Sequence, residues 1–336
     1  MTTEEQLDRD LIVRAAALLR RGELVAFPTE TVYGLGADAS NPEALRKLYA
    51  TKGRPADHPV IVHLANFEQV HLWAIDLPDF LSDLAEKFWP GPLTVVLRRS
   101  ARVLDQVTGG QDTVALRIPA HPMALSLLRE FGGGLAAPSA NRFGRISPTR
   151  AEDVSREFAD DVSLVLDGGA CQVGIESTIL DLSSSGIARI LRPGMIQPAQ
   201  IAQVAGIEIE SKNAPPSKQI RVPGALASHY APLTPLLLLD SSQLIGGIER
   251  LLSHSSVKVA VLAFQSSSAE LGQVTWHQVD YDPDQYAREL YFHLRRLDLL
   301  QANWIVVERP PADPAWNGIA DRLQRAAKHD EASNSP

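Results

Sequence analysis

The stretch Phe27–Leu64 reads FPTETVYGLGADASNPEALRKLYATKGRPADHPVIVHL. Its first part, Pro28–Gly36, places hydroxyls, a carboxylate and two glycines directly after the apolar run Leu24–Phe27, which is typical of a strand. Its second part, Lys52–Pro55, has two cations beside a glycine and a proline, and its third part, Pro59–Leu64, is a short apolar run that contains a histidine. Hydroxyls and an imidazole suit a small polar ligand, and Lys and Arg suit phosphate oxygens. The stretch therefore indicates a site for a small zwitterion beside a polyphosphate.

Helices are predicted on both sides of the glycines. Leu7–Arg20 has apolar residues at helical spacing and no breaker, so it predicts an amphipathic helix. Asn41 followed by a proline is typical of a helix cap with proline in the first turn, and it predicts a helix over Pro42–Ala50. This helix would deliver Lys52 and Arg54 just past its C-terminal end.

The chain up to residue 210 mixes strands and helices without strict alternation. The loop Pro138–Thr149 holds two arginines, several small polar residues and no acid. We expect an α/β fold in which an α+β-type mixed, twisted sheet is covered by helices, forming a first domain over residues 1–210. The further predicted strands are Val60–Leu64, Leu93–Leu97, Thr113–Ile118, Val162–Leu166, Ser177–Leu182 and Ile187–Leu191, and the further predicted helices are Leu77–Phe88 and His121–Phe131.

The composition changes at Ser211. The segment Ser211–Leu233 has four prolines, no acidic residue and no clear period, so it predicts an extended linker. Alternating strand and helix patterns over residues 234–330 then predict a smaller α/β domain with a largely parallel sheet, and residues 331–336 are expected to be a frayed tail. Its predicted strands are Leu236–Leu239, Val257–Leu262, Val274–Val279 and Trp304–Val307, and its predicted helices are Gln243–Leu252, Asp284–Leu297 and Trp316–Lys328.

Composition limits the class of protein. The length of 336 residues favours two domains, and a net charge of −8 argues against a general nucleic-acid coat protein. A single cysteine, Cys171, excludes an intramolecular disulfide and any zinc site built on a cysteine pair. The acidic N-terminus lacks the apolar core of a signal peptide, and no apolar run approaches the roughly 18 residues of a membrane span. A cytoplasmic protein without a membrane segment is therefore expected.

Each motif also has a purely structural interpretation. Gly34 and Gly36 match the dinucleotide fingerprint, but that fingerprint opens a helix and the helix signal here starts later. The glycines are expected instead to turn tightly or to let the backbone approach a ligand. Lys52 and Arg54 would be solvated cations that favour the helix dipole, and His63 would be a satisfied core histidine.

Other enzyme classes lack their signatures. The sequence contains no Walker motif, no G-x-S-x-G element and no histidine pair at metal-ligand spacing. The residues therefore permit an enzyme that uses ATP and a small substrate, but they do not name the reaction.

The motifs together resemble one family. The blocks P-T-E-T-V-Y-G-L-G, K-G-R-P, S-A-N, D-G-G and E-S-T, in this order and spacing, are similar to those of the threonylcarbamoyl-AMP synthase family in its two-domain form. The resemblance runs by motif from about Gly22 through Tyr230, and it implies a YrdC-like first domain and a smaller Rossmann-like α/β domain. It also implies condensation of L-threonine, bicarbonate and ATP into threonylcarbamoyl-AMP and pyrophosphate, for threonylcarbamoyladenosine modification of tRNA.

The resemblance also implies roles for individual residues. Lys52 and Arg54 would be the catalytic cations that offset developing negative charge, together with magnesium held through the ATP phosphates and not by a protein metal site. The residues that match the family's threonine contacts are Thr31, His63, Arg117, Ala137 (through its backbone) and Ser177. Those that match its ATP contacts or its K-x-R and S-x-N signature are Lys52, Arg54, His58, Thr113, Ser139, Asn141, Ser147, Arg192 and Tyr230. A contact from Tyr230 would require the linker to fold back over the nucleotide.

The sequence departs from the family pattern at two places. His58 stands where many members have asparagine. The segment between Val222 and the His229-Tyr230 pair has no basic residue, whereas many members carry basic residues there.

Two other functions compete with this interpretation. A non-enzymatic RNA-binding module with a YrdC-like fold would use the cations near Arg46–Arg54 and Arg142–Arg150, but the overall acidity and the lack of interleaved aromatics weigh against it. A carbamoyl-transferring maturation enzyme also uses a YrdC-like domain, but its zinc-finger and acylphosphatase-like segments are absent from this sequence. For a synthase, the expected partners are ATP, L-threonine, bicarbonate, the tRNA threonylcarbamoyl transferase machinery that receives the product, and a weak contact with tRNA.

Overall fold

The computed structural model describes residues 3–184, 187–210, 220–224, 226, 228–253, 256–266 and 273–327. The predicted tail 331–336 and residues 211–219 of the predicted linker lie outside these ranges. The chain divides into two compact units, one of Met1–Phe143 with Ser147–Ala225 and the other of Gly144–Ile146 with Leu226–Pro336. The division after Ala225 falls within the segment predicted as a linker, whose exact limits stay a prediction.

The first unit is built on one large sheet. Its helices are α1 (Thr3–Arg20), α2 (Pro42–Lys52), α3 (Val70–Trp73), α4 (Leu81–Phe88), α5 (Asp105–Thr108), α6 (Pro122–Phe131), α7 (Ala151–Phe158) and α8 (Pro198–Ala205). Its strands are β1 (Val25–Phe27), β2 (Gly34–Asp38), β3 (Ile61–His63), β4 (Ala74–Ile75), β5 (Leu93–Arg99), β6 (Thr113–Arg117), β7 (Leu135–Ala136), β8 (Leu164–Val165), β9 (Thr178–Ser184), β10 (Ile187–Arg192) and β11 (Ile209–Glu210).

These strands form a mixed sheet in the order β11-β10-β9-β5-β6-β3-β7-β2-β1-β8, with β4 paired to β5. The pairs β3–β6, β5–β9, β1–β8 and β10–β11 are parallel and the others are antiparallel. Because the sheet is mixed, adjacent strands bring both carboxyl ends and amino ends to the same edge. The predicted mixed sheet is confirmed.

Both faces of this sheet are covered by helices. Along β1, Val25 and Phe27 pack with α1 and α6, whereas the intervening Ala26 packs with α2 and α7 on the opposite face. This alternation is the period-2 pattern of a strand with two buried faces. Helix α2 begins where the sequence predicts, because the Asn41 side chain accepts hydrogen bonds from the backbone N–H groups of Glu43 and Ala44.

The structure corrects the expectation for the two glycines. They lie in strand β2, antiparallel to β1, and not in a tight turn. A Cβ atom added to Gly36 would lie 2.8 Å from Cε1 of the Phe27 ring and 3.2 Å from the carbonyl oxygen of Val25. Glycine is therefore required at Gly36 by packing against the neighbouring strand.

Several further short elements are absent from the sequence-based prediction, helices α7 and α8 among them. Helices α7 and α8 each have eight residues. Helices of this length are marginal in isolation and depend on tertiary packing. Helix α8 starts with a capping box in which Gln197 takes the N-cap position usually held by Ser or Thr, and Gln200 is the N3 residue.

The second unit contains a smaller sheet. Its strands β12 (Leu236–Leu239), β13 (Val259–Ala263), β14 (Val274–Gln278) and β15 (Trp304–Glu308) are all parallel, in the order β12-β15-β13-β14. Its helices are α9 (Leu244–Leu252), α10 (Pro283–Asp298) and α11 (Asn317–Ala327). The predicted parallel α/β unit is confirmed. Across both units, none of the described helices is long and apolar enough to cross a membrane.

We predict that Gly36→Ala lowers the free energy of unfolding by about 1–3 kcal/mol, the usual effect of overpacking a core. The matched control is Gly34→Ala in the same strand, where the nearest atom to an added Cβ is the Ala137 Cβ at 3.3 Å. Urea unfolding of both variants is the measurement. A Gly36 variant as stable as the Gly34 variant would contradict this explanation of the motif.

Candidate active site

The turn between β1 and β2 is closed by its own threonines. The Thr29 hydroxyl donates to the carbonyl oxygen of Val32 at 2.6 Å, and it accepts from the backbone N–H groups of Thr31 and Val32, each at 3.2 Å. The two hydroxyls of Thr29 and Thr31 lie 2.8 Å apart. Because the single Thr29 proton is used on Val32, the Thr31 hydroxyl donates to Thr29. The buried Thr31 oxygen then keeps its lone pairs, which can accept a hydrogen bond.

Glu30 and Arg117 form a buried ion pair. The guanidinium of Arg117 lies 2.7 Å from Oε1 of Glu30, and the two side chains are 4% and 6% exposed. The second Glu30 oxygen accepts from the backbone N–H of Ala120 at 2.9 Å, and Nε of Arg117 donates to the carbonyl oxygen of Gly91 at 3.3 Å. These contacts use two of the five Arg117 N–H donors, so the remaining donors can bind a carboxylate.

His63 lies beside Arg117 in the sheet. The parallel register of β3 and β6 places the two residues opposite each other at the carboxyl ends of their strands. Burial, and secondly the positive charge of Arg117, lower the pKa of His63 to about 3, so the imidazole is neutral. Its Nδ1 atom is buried and has no hydrogen-bond partner among the described residues. An unpaired buried nitrogen costs free energy, which a ligand group could recover.

The other two residues of the predicted threonine-contact set, Ala137 and Ser177, lie on strands of the same sheet or on the loops beside them. The backbone N–H of Ala137, just past β7, donates to the carbonyl oxygen of Ile61 in β3 at 3.0 Å. Ser177 precedes β9, and its hydroxyl lies 2.7 Å from that of Thr94 in the neighbouring β5. The sheet therefore carries the five residues of this set on neighbouring strand ends or on the loops beside them.

Arg192 connects Ser177 to the predicted linker. Its guanidinium donates to the Ser177 carbonyl oxygen at 3.0 and 3.1 Å, to the Ser177 hydroxyl at 3.1 Å and to the carbonyl oxygen of Pro223 at 2.9 Å. One residue earlier, Glu176 accepts a 2.6 Å hydrogen bond from the buried Ser147 hydroxyl. Two residues predicted to contact ATP, Ser147 and Arg192, thus adjoin the E-S-T motif directly.

The two predicted catalytic cations are buried at the end of α2. Lys52 is the last residue of the helix, not a residue beyond it, and its ammonium donates to the carbonyl oxygens of Ser139 and Asn141. Burial, and then the charge of Arg54, lower the pKa of Lys52 well below its ordinary value. The guanidinium of Arg54 donates to the carbonyl oxygen of Pro59 at 2.7 Å and lies 5.7 Å from the centre of the Phe143 ring.

His58 belongs to the same region. Its ring contacts the Phe143 ring edge-on at 5.3 Å, and burial and the charge of Arg54 lower its pKa. The Phe143 ring thus positions the imidazole, and the nearby cation disfavours its protonated form.

The loop that carries Ser139, Asn141 and Ser147 is tied to the P-T-E-T region. The backbone N–H of Tyr33 donates to Pro148 at 2.9 Å and its carbonyl accepts from Ala140 at 2.7 Å, while Leu35 donates to Pro138 at 2.8 Å. The two motifs are therefore joined by three main-chain hydrogen bonds.

Two predicted residues are not on the strand ends and loops that carry this set. Thr113 is the first residue of β6, so it is at the opposite end of that strand from Arg117. Tyr230 lies in the second unit, where its ring stacks on Tyr291 at 5.9 Å and faces the Arg322 guanidinium at 5.3 Å. Its φ of +63° is a strained backbone conformation for a residue other than glycine. The nucleotide contacts assigned to these two residues stay predictions.

Three residues of this site are missing from the sequence-based prediction. They are Glu30, Glu176 and Thr94. The two glutamates could have been found from the sequence, because each lies in a motif that is otherwise apolar or hydroxyl-bearing. A buried carboxylate requires a cation or a hydrogen-bond donor as partner. Thr94 gives no such signal, since a strand threonine is ordinary.

The fold and site define a class of protein: an α/β enzyme whose first unit buries hydroxyls, a neutral histidine, an arginine–glutamate pair and further cations at one region of a mixed sheet. The Sua5/YciO/YrdC family model, described as "Telomere recombination", matches residues 17–194, and the model described as "Threonylcarbamoyl-AMP synthase, C-terminal domain" matches residues 196–328. The chain belongs to the threonylcarbamoyl-AMP synthase family and is an enzyme, as the resemblance implied.

The similarity extends over nearly the whole chain. The threonylcarbamoyl-AMP synthase of Pyrococcus abyssi is 37% identical over 338 residues, which cover 97% of each chain. That of Bacillus subtilis is 38% identical over 334 residues, covering 97% of this chain and 96% of the relative. The crystal structure of P. abyssi Sua5 complexed with L-threonine superposes with a TM-score of 0.85 at 37% identity, covering 95% of this chain and 94% of the other.

We predict that His63 makes the protein less stable in acid. Its pKa falls from 6.5 in the unfolded chain to about 3 in the folded one, so the stabilisation is complete above pH 6.5 and is lost as the pH falls toward 3. At pH 5 the unfolded state gains about 2 kcal/mol from protonating this residue. The drop in unfolding free energy between pH 7.5 and pH 5 should be smaller by that amount in His63→Gln, and unchanged in the exposed control His71→Gln. Equal drops in both variants would contradict the burial of a neutral imidazole.

We also predict that Glu30→Gln lowers the free energy of unfolding by about 3–5 kcal/mol, because it leaves the Arg117 charge buried and uncompensated. The control is Glu43→Gln, which removes the partner of Arg46 from a pair whose side chains are 73% and 63% exposed. Exposed pairs contribute about 0–1 kcal/mol. Similar losses in the two variants, measured by urea unfolding, would show that the Glu30 pair has no special role.

Proposed function

We propose that the chain condenses L-threonine, bicarbonate and ATP into threonylcarbamoyl-AMP, with release of pyrophosphate and water. The observation that carries the proposal is the set of Thr31, His63, Arg117 and Ser177 on adjoining strand ends and loops of one sheet. A bound L-threonine in the similar P. abyssi structure supports the same substrate here.

The pocket suits a zwitterionic amino acid. The threonine carboxylate would bind the free donors of Arg117, whose charge is already balanced by Glu30. The unpaired Nδ1 of His63 and the accepting oxygen of Thr31 would pair with the ammonium or the side-chain hydroxyl. Because His63 is neutral, it does not repel the ammonium group.

The reaction needs little covalent participation from the protein. The threonine nitrogen, once neutral, attacks the carbon of bicarbonate with loss of water, or that of carbon dioxide with loss of a proton, and gives an N-carboxy group. An oxygen of that carboxylate attacks the α-phosphorus of ATP, and the bond to the β,γ-pyrophosphate breaks. Positioning of the two reactants and stabilisation of charge on the phosphates therefore dominate. Arg54, buried beside the loop of Ser139–Ser147, is the cation best placed for the phosphates.

Magnesium would accompany ATP. The described residues hold no cluster of three or more His, Cys, Asp or Glu side chains suited to a metal ion. The two buried carboxylates of the site, Glu30 and Glu176, accept hydrogen bonds from Arg117, Ala120 and Ser147. A magnesium ion coordinated mainly by phosphate oxygens and water fits this donor set. When bound it neutralises charge on the transferring phosphates.

The product would be used by a tRNA threonylcarbamoyl transferase. An acyl-phosphate anhydride such as this mixed carbamate–adenylate hydrolyses readily, so exclusion of water until transfer is an advantage. Membership of the family along both units favours this function over an RNA-binding module or a carbamoyl-transferring maturation enzyme.

The proposal predicts that purified protein incubated with ATP, magnesium, L-threonine and labelled bicarbonate forms a labelled adenylate and one equivalent of pyrophosphate. Replacing threonine by alanine should slow ATP consumption by more than about tenfold, because the polar groups that pair with the hydroxyl are left unpaired. Omission of threonine is the blank. Equal rates with alanine would contradict the pocket described above, and absence of any adenylate would contradict the function.

Arg117→Lys tests the carboxylate contact while keeping a cation beside Glu30. Loss of a charged hydrogen bond should lower kcat/KM for threonine by about 10- to 150-fold, which corresponds to roughly 1.5–3 kcal/mol. The matched control is Arg99→Lys at the end of β5, where Arg99 pairs with an Asp105 side chain that is 75% exposed.

A further inference from the structure

The ammonium of Lys52 is engaged by main chain. It donates to the carbonyl oxygen of Ser139 at 2.5 Å and to that of Asn141, and the residue is 2% exposed. Two of its three N–H donors are thus committed to the loop that follows β7. A group held in this way is poorly placed to act as a mobile point charge for phosphate.

The loop returns two hydrogen bonds to the end of α2. The backbone N–H of Phe143 donates to the carbonyl oxygen of Lys52 at 2.8 Å, and the guanidinium of Arg142 donates to that of Thr51 at 2.5 Å. The last carbonyls of a helix have no partner within the helix, so they are available for such contacts. Gly53, with φ of +63°, ends the helix and turns the chain away. Four hydrogen bonds therefore join residues 139–143 to residues 51–52.

We propose that Lys52 is a positioning residue, which holds the main chain of Ser139–Asn141 in the conformation that receives the nucleotide, and that its effect on catalysis passes through this loop. The inference rests on the proposed function, because it assumes that Ser139 and Asn141 contact ATP. It assigns the two cations of the K-G-R motif different tasks: Arg54 would bind the phosphates, and Lys52 holds the loop.

Burial supports this assignment. Moving an ammonium out of water is costly unless hydrogen bonds replace its hydration. The two carbonyl oxygens supply that replacement at fixed positions, so the loop is held only where the ammonium can reach both. The same burial lowers the pKa of Lys52.

The decisive measurement is amide hydrogen exchange of peptides covering Ser139–Phe143 in the absence of any ligand. Lys52→Met should speed exchange of this segment by more than about tenfold, because the amides of Ala140 and Phe143 donate to the carbonyl oxygens of Tyr33 and Lys52 only while the loop is held in place. The matched control is Lys47→Met, one turn earlier in α2, where Lys47 is 41% exposed and pairs with Glu23. Lys47→Met should leave the exchange rate unchanged.

Kinetics separate positioning from a general loss of structure. Lys52→Met should raise KM for ATP and lower kcat by about 100-fold in all, the effect expected of a misplacement near 1 Å, while threonine affinity measured by calorimetry changes less than about twofold. Arg142→Ala removes a further tether from a side chain that is 44% exposed. It should shift loop exchange and KM for ATP in the same direction by roughly 3- to 10-fold.

Each outcome decides the proposal. Unchanged exchange in ligand-free Lys52→Met, together with lost ATP binding, would assign Lys52 a direct phosphate contact and overturn it. If Lys52→Met does not fold, Arg142→Ala decides, and unchanged loop exchange in that variant overturns the proposal. Absence of adenylate synthesis by the unmodified protein would contradict the proposed function, but the exchange experiment would still report on the tether.

Discussion

The buried pair of Glu30 and Arg117 connects parts of the chain that are far apart in sequence. Glu30 lies in the turn after the first strand, and Arg117 lies 87 residues later at the end of β6. The second oxygen of Glu30 fixes the backbone at Ala120, and Arg117 also fixes Gly91. The turn that presents Thr31 and the strand end that presents His63 are thus held around one neutral pair of charges.

The main contribution of the pair is to ligand specificity and not to the stability of the fold. A buried ion pair often contributes no more than an apolar replacement would, since desolvation offsets the attraction. What it supplies here is a guanidinium that stays charged in the interior without adding net charge. Under the proposed function, a zwitterion would bind through its carboxylate while the pocket remains close to neutral. The neutral His63 fits the same arrangement, because a charged imidazole beside Arg117 would add a second uncompensated cation.

Local sequence signals account for much of the fold. The Asn41-Pro42 cap defines the start of α2, and the apolar periods define the sheet strands and the parallel α/β second unit. The strand Gly34–Asp38 is not predictable in this way, because its glycines have low strand propensity and are needed only once the Phe27 ring lies across them. The same limit applies to Glu30, whose partner Arg117 lies 87 residues away in the sequence.

The site shows a related limit for Lys52. A cation at the end of a helix is usually exposed, so its burial could not be read from the sequence around it. Burial follows from the loop after β7, which is fixed by main-chain hydrogen bonds to Tyr33 and Leu35 in the P-T-E-T segment. The K-G-R and S-A-N motifs therefore depend on the P-T-E-T motif for their positions. Because main chain carries this dependence, the side chains of the loop can differ while its conformation is kept, provided that the ammonium of Lys52 still reaches the carbonyls of Ser139 and Asn141.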